Sequence, residues 1–291
     1  MKKKAVLKMK KTMRLDKMLG NLGYGTRSGI KALVRQGAVA VNGVPAKDPG
    51  MQIDPAKDEV LLNGERIAYR DSVYVLLHKP AGYVSATEDL RDRTVLELLD
   101  EEMNVFSPFP VGRLDKDTEG LLLLTNDGKL AHELLSPRKH VPKTYRALVR
   151  GEVDETDAEA FGRGVELDDG YVTLPAQLRL LAAAKAGEPI AHPGMAEAAE
   201  RTARVPALRG AELAAAVREG WTLSWIELTI HEGKFHQVKR MFQAVGKEVL
   251  YLRRVAMGPL VLDPALKPGD WRELTDEELT ALREYRKEQK G

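Results

Sequence analysis

The 291-residue chain contains no cysteine. That absence excludes disulfide staples, thiolate metal sites and a cysteine nucleophile together. No apolar run approaches the ~20 residues needed to span a bilayer, and the basic N-terminus, MKKKAVLKMKKTMRLDK, lacks the apolar segment and cleavage site of a secretory signal. A soluble, cytoplasmic protein with no membrane partner is the expectation. Net charge is also scarce, only +2, but it is unevenly spread: residues 1–47 hold twelve Lys and Arg against Asp16 alone, a net +11, so the rest of the chain carries −9. Cations concentrated on a mildly acidic body suit a polyanion, because neutralising phosphates releases counterions.

What is present is an ordinary globular balance, 43% hydrophobic and 30% charged, over a length that predicts two domains. Leu15, Met18, Leu19 and Leu22 fall at helical spacing, and Gly23 can end that helix in a left-handed cap. A second helix starts at Thr26 or Ser28, turns Ile30, Leu33 and Val34 inward and closes at Gly37, so Arg27, Lys31 and Arg35 share one face. Asn42-Gly43 and Asn63-Gly64 are type I′ hairpin signals between short strands. RLDKMLGNLGYGTRSGIKALVRQGAVAVNG resembles the small S-four-like RNA-binding domain named after a ribosomal protein, which implies that the second helix and its loop grip RNA. The expected layout is a basic tail over 1–11, this domain over 12–70 and a larger domain over 71–291.

In the larger domain SVYVLLHKP, GLLLLTNDG, KTYRALV and SWIELTI read as strands, with Lys143, Tyr145 and Ala147 on one face of the third. GKLAHELLS and KFHQVKRMFQAVG read as helices. In the second of these, Phe235, Val238, Phe242 and Val245 have the spacing of a buried stripe, with His236, Lys239, Arg240 and Gln243 opposite. The fold class is therefore α+β: a small N-terminal RNA-binding domain, then a mixed, mainly antiparallel sheet with flanking helices. Residues 182–220, rich in alanine, read as an insertion of one or two helices without recognisable chemistry.

VGRLDKDTEGLLLLTNDG sets Asp115, Asp117 and Glu119 in a polar loop directly before an apolar strand that gives the loop a rigid support. From the residues alone this is either an acidic turn or a catalytic loop. Three acids could also hold Mg²⁺ for phosphodiester hydrolysis, the nuclease alternative. HEGKFH mimics a zinc helix, but its histidines stand five apart with Gly233 between them, so no metal site is expected.

The loop resembles the signature of the RNA pseudouridine synthases, of the small-subunit ribosomal RNA (RsuA) branch. HKPAGYVSATED, VPKTY and EGKFHQVKRMF resemble three further motifs of that family, in order, over residues 76–260. The resemblance implies Asp115 as the catalytic aspartate, Tyr145 as the aromatic packed on uracil, and Lys239 as the cation beside the aspartate, with Arg240 as the alternative partner. It implies substrate contacts from Lys79 and from Arg113, which either fills the gap left by an extruded nucleotide or touches a phosphate. By itself Tyr145 also reads as a half-buried strand aromatic. Isomerising uridine exchanges no electrons or atoms with another molecule, so no cofactor is expected. The carboxylate either engages the sugar carbon or adds to the pyrimidine ring. The expected partner is ribosomal RNA or an assembling small subunit, bound by a monomer. A large-subunit enzyme and a non-catalytic assembly factor are the alternatives.

Overall fold

Short segments of alternating or continuous hydrophobicity, cut by Asn-Gly and Asx turns, dictate a strand-rich chain with few long helices. The computed structural model describes residues 12–55, 57–67, 69, 72–185 and 187–288; the basic tail expected over 1–11 lies outside them. Contacts divide the described residues into an N-terminal unit reaching Val73, which also takes in residues 100–107, and a larger unit formed by the rest.

The N-terminal unit runs β1 (Met13–Arg14), α1 (Leu15–Asn21), α2 (Arg27–Arg35), β2 (Val39–Val41), β3 (Val44–Pro45), β4 (Gln52–Ile53), β5 (Val60–Leu62) and β6 (Glu65–Ile67). Four of these strands form a sheet in the order β3-β2-β5-β6, and β1 pairs with β4. Both Asn-Gly turns have two successive positive φ values, 52° and 76° at Asn42-Gly43 and 51° and 83° at Asn63-Gly64, the conformation a tight two-residue hairpin requires. Thr26 caps α2 by accepting from the Gly29 amide at 3.3 Å. Ile30 and Val34 are buried with Leu15, Met18 and Leu19, while Arg27, Lys31 and Arg35 face solvent. The short helix α3 (Glu101–Asn104) belongs to the 100–107 segment of this unit.

The larger unit is built on nine strands: β7 (Tyr74–Lys79), β8 (Phe109–Pro110), β9 (Glu119–Thr125), β10 (Lys143–Arg150), β11 (Gln177–Ala184), β12 (Leu223–Ile230), β13 (Glu248–Met257), β14 (Leu260–Val261) and β15 (Trp271–Glu273). The main order is β11-β12-β10-β13-β9-β7-β15, with β14 on β13 and β8 on β9. Every pairing is antiparallel except β13 with β9, which is the mixed sheet the sequence predicts. The helices are α4 (Gly128–Leu135), α5 (Glu155–Arg163), α6 (Pro193–Arg204), α7 (Gly210–Arg218), α8 (Gln237–Ala244) and α9 (Asp276–Glu288). At the β13–β9 crossing, Gly120 has a φ of 108°, and a Cβ there would stand 2.2 Å from the Arg254 carbonyl oxygen. Only glycine allows these backbones to approach so closely.

The 182–220 segment is no loose appendage. Its helices α6 and α7 bury Met195, Ala198, Leu213 and Ala216 against Leu148, Trp225 and Tyr251 of the sheet. A second core gathers Leu76, Leu121 and Leu123 with Leu130 and Leu134 of α4 and Leu282 of α9.

Candidate active site

The acidic loop is held through its backbone. A continuous apolar strand follows: all of β9 is buried. From the other side the HKPAG segment holds the loop's backbone. Gly82 donates to the Lys116 carbonyl at 2.7 Å, and the Ser85 hydroxyl both donates to the Leu114 carbonyl and accepts from its amide at 3.0 Å. The Thr118 amide closes the turn on the Asp115 carbonyl at 3.0 Å.

Lys79 completes this clamp, and here the sequence expectation needs correction. Expected at the substrate, it is fully buried, with its ammonium donating to the carbonyls of Thr118 (2.9 Å), Pro80 (3.0 Å) and Asp115 (3.1 Å). Burial pulls its pKa down to about 8, opposed by the negative charges of Glu119, Asp117 and Asp115. With its protons committed to the loop, Lys79 serves to hold Asp115 in place.

Above the clamped loop, α8 presents Lys239. Its ammonium stands 3.2 Å from an Asp115 carboxylate oxygen and 2.6 Å from one of Asp117. Asp117, which the sequence leaves without a place at the reaction centre, thus shares the cation. His236 Nε2 lies 3.6 Å from the other Asp115 oxygen. Arg240, the alternative partner of Asp115, instead pairs with Asp168 and Asp169. Adjacent helix residues point about 100° apart, and here Lys239 is turned to Asp115 while Arg240 is turned to Asp168 and Asp169.

A cavity of about 800 Å³ opens over this pair. Its walls include Tyr145 from β10, which is 8% exposed, and the solvent-facing Arg113. Lys143, two residues before Tyr145 on the same strand face, also lines it and donates to the Val141 carbonyl at 2.8 Å. Burial, helped by the Arg254 charge and opposed by Glu232, pulls its pKa down to about 8. The shared face was legible in the strand alternation, but the depth of burial was not.

At the cavity mouth Phe235 departs from the buried stripe. It is 75% exposed and stacks on the His236 ring, centroids 3.8 Å apart. The reason is local: His236 takes a left-handed φ of 48°, and α8 begins only at Gln237, so Phe235 lies off the helix. Nearby, the Glu232 carboxylate accepts from the Tyr171 hydroxyl, the Leu174 amide and the Gln237 amide group. Among the described residues no three His, Asp or Glu side chains converge as a metal would require. Chemically, the site offers a carboxylate with a counter-charge at the base of an aromatic-walled cavity, and cations at its edge for a phosphate-bearing ligand.

Comparison with known proteins bears on what that ligand is. The RNA pseudouridylate synthase family profile matches residues 73–244, and the S4 domain profile matches residues 13–60. An uncharacterized RNA pseudouridine synthase of Bacillus subtilis is 47% identical over 272 residues, covering 94% of this chain and 99% of that protein. Ribosomal small subunit pseudouridine synthase A of Vibrio cholerae and ribosomal large subunit pseudouridine synthase B of Bacillus subtilis are each 35% identical over 271 residues; both alignments cover 93% of this chain, and 99% and 95% of those proteins. A crystal structure of a pseudouridylate synthase, 32% identical, superposes with a TM-score of 0.55 over 93% of this chain and 99% of that one. The clamped acidic loop, the cavity above it and these matches have one common reading: the chain belongs to the RNA pseudouridine synthase family and carries an N-terminal S4 domain.

Proposed function

We propose that this chain converts a uridine of small-subunit ribosomal RNA to pseudouridine, acting as a cytoplasmic monomer, with Asp115 as the catalytic carboxylate. The observation that carries the reading is the Asp115–Lys239 contact of 3.2 Å at the base of a cavity also lined by Tyr145. The reaction breaks the bond between uracil N1 and ribose C1′ and forms one between C5 and C1′. The proton lost from C5 balances the one gained at N1, so no cofactor is needed. A carboxylate engages the sugar or the ring, Lys239 balances its charge, and Tyr145 offers a ring face for stacking and a hydroxyl close to the departing C5 proton. The target must leave its stack to enter the cavity, at a cost of a few kcal/mol. Arg113 and the exposed Phe235–His236 pair at the mouth suit the vacated position and a flanking base.

The small-subunit reading rests on KPAGYVSATED followed by TVLELL, and on GKFHQVKRMF, which resemble that branch. The large-subunit reading is supported by the equal identity, 35%, to the large-subunit relative. Mapping pseudouridines in both ribosomal RNAs, with and without the gene, separates them: a uridine that loses its modification names the subunit. Asp115→Asn, nearly isosteric, is expected to bind RNA normally and to form no pseudouridine. Wild-type turnover by that variant would remove Asp115 from the reaction.

A further inference from the structure

The inserted helix α6 lies over the parallel crossing of β13 and β9, where Arg253 is in register with Glu119. These neighbours carry opposite charges, and α6 answers both from one face. Glu197 pairs with Arg253 at 2.8 Å. Four residues later, Arg201 grips Glu119 with two parallel bonds, 2.5 and 2.8 Å long. Residues four apart share a helix face, so this is a matched pair of contacts from a single turn.

Glu119 directly follows Thr118, whose carbonyl receives the Lys79 ammonium. Its side chain is fully buried. Besides Arg201 it accepts from the Tyr251 hydroxyl at 2.9 Å and from the Ala81 amide at 3.3 Å, so it ties the catalytic loop to the HKPAG clamp. Burial alone would push this carboxyl up; Arg201, Tyr251 and Ala81 together outweigh burial and hold it below the ordinary range. Without Arg201 a buried charge would stand uncompensated at the loop's C-terminal end, and such a charge rearranges its surroundings to reach water.

The geometry points to Arg201 as a positioning residue for the reaction: the 182–220 insertion acts as an internal brace that, through Glu119, sets the backbone carrying Asp115. Arg201 lies outside every segment whose motif resembles the family, and it touches neither Asp115 nor Lys239. It works on the loop, as Lys79 does from the other side. A second cation of the insertion, Arg209, bonds the Val249 carbonyl at 2.8 Å and pairs with Glu248, so it fastens the insertion to the sheet away from the loop.

Steady-state turnover on the unmodified ribosomal RNA transcript that the wild type converts separates bracing from simple packing. Misplacement of a catalytic group by ~1 Å costs about 100-fold. Arg201→Met is therefore expected to lose about 30- to 100-fold in kcat with KM within about threefold, an effect confined to the chemical step. Arg201→Met combined with Glu119→Gln removes the stranded charge and is expected to recover most of that loss. Arg209→Met is expected to melt earlier yet keep kcat. If Arg201→Met is too unstable to purify, Arg201→Lys, which keeps the charge and loses the fork, is read by the same split with a loss of about 3- to 10-fold. Wild-type kcat in the variant so read, or an equal kcat loss in Arg209→Met, overturns the assignment. The inference rests on Asp115 being the reactive carboxylate: normal turnover by Asp115→Asn defeats that reading, whereas a dead Asp115→Asn beside a fully active Arg201→Met defeats the brace alone.

Discussion

Replacing Lys239 with methionine keeps an unbranched side chain, one atom shorter, and deletes its charge, leaving Asp115 and Asp117 without the ammonium they share. At an effective dielectric of about 20, charges 3.2 and 2.6 Å apart attract by roughly 5 and 6 kcal/mol. Lys239 is 18% exposed, Asp115 28% and Asp117 31%, so water screens these gross values, and ~3–4 kcal/mol is the scale to expect in the transition state. That corresponds to a loss of about 10²- to 10³-fold in kcat/KM. The assay follows the chemistry: uridine must lose its C5 hydrogen, so release of tritium from transcript labelled at C5 counts turnovers directly. Arg240→Met is the matched control, because Arg240 is engaged by Asp168 and Asp169, and it should stay within about threefold of wild type in kcat. A fully active Lys239→Met beside a dead Arg240→Met would reverse the two roles and refute the assignment drawn from the 3.2 Å contact.

How much of this was legible in the sequence depends on how local the cause is. The Asn42-Gly43 and Asn63-Gly64 hairpins follow from two adjacent residues, and both turns have the required positive φ values. The burial of Leu121, Leu122, Leu123 and Leu124 in β9 follows from one uninterrupted apolar run. Where periodicity was carried across a boundary it failed: Phe235 has the spacing of a core residue, yet the left-handed His236 separates it from α8. Lys79 is misleading for another reason. Lysines are rarely buried, so a lysine in a motif reads as a ligand contact until the four carbonyls around it are seen. The choice between Lys239 and Arg240 needed Asp168 and Asp169, about 70 residues away in sequence. Glu119, which reads as a third loop acid, lies in β9 because Arg201, from a segment without any motif, neutralises it.

Two further outcomes are expected. Lys79 has its pKa lowered from 10.5 to about 8; the charged form therefore disfavours folding below pH 8, and that cost is relieved as pH rises through the window up to 10.5, where the unfolded chain still binds the proton. Urea unfolding at pH 7.5 and 10 should show wild type gaining up to roughly 3 kcal/mol relative to Lys79→Met, and parallel pH dependences for the two proteins would contradict the buried ammonium. The last expectation concerns the N-terminal domain. Arg27, Lys31 and Arg35 are solvent-facing on α2 and form no ion pair among the described residues, while Ile30 and Val34 anchor the opposite side. If this stripe meets phosphates, each contact contributes about 0.7 to 0.9 to the salt slope of binding, so changing all three to Gln should flatten the slope by about 2 to 3. The fold should survive because none of the three is buried. Affinity is then expected to fall while the modified position stays the same, and saturating RNA should restore turnover because Asp115, Tyr145 and Lys239 are untouched. Measuring turnover against RNA concentration at two ionic strengths tests both parts. An unaltered salt slope would make the stripe an ordinary solvated face, and a changed target uridine would mean that the N-terminal domain reads sequence rather than charge.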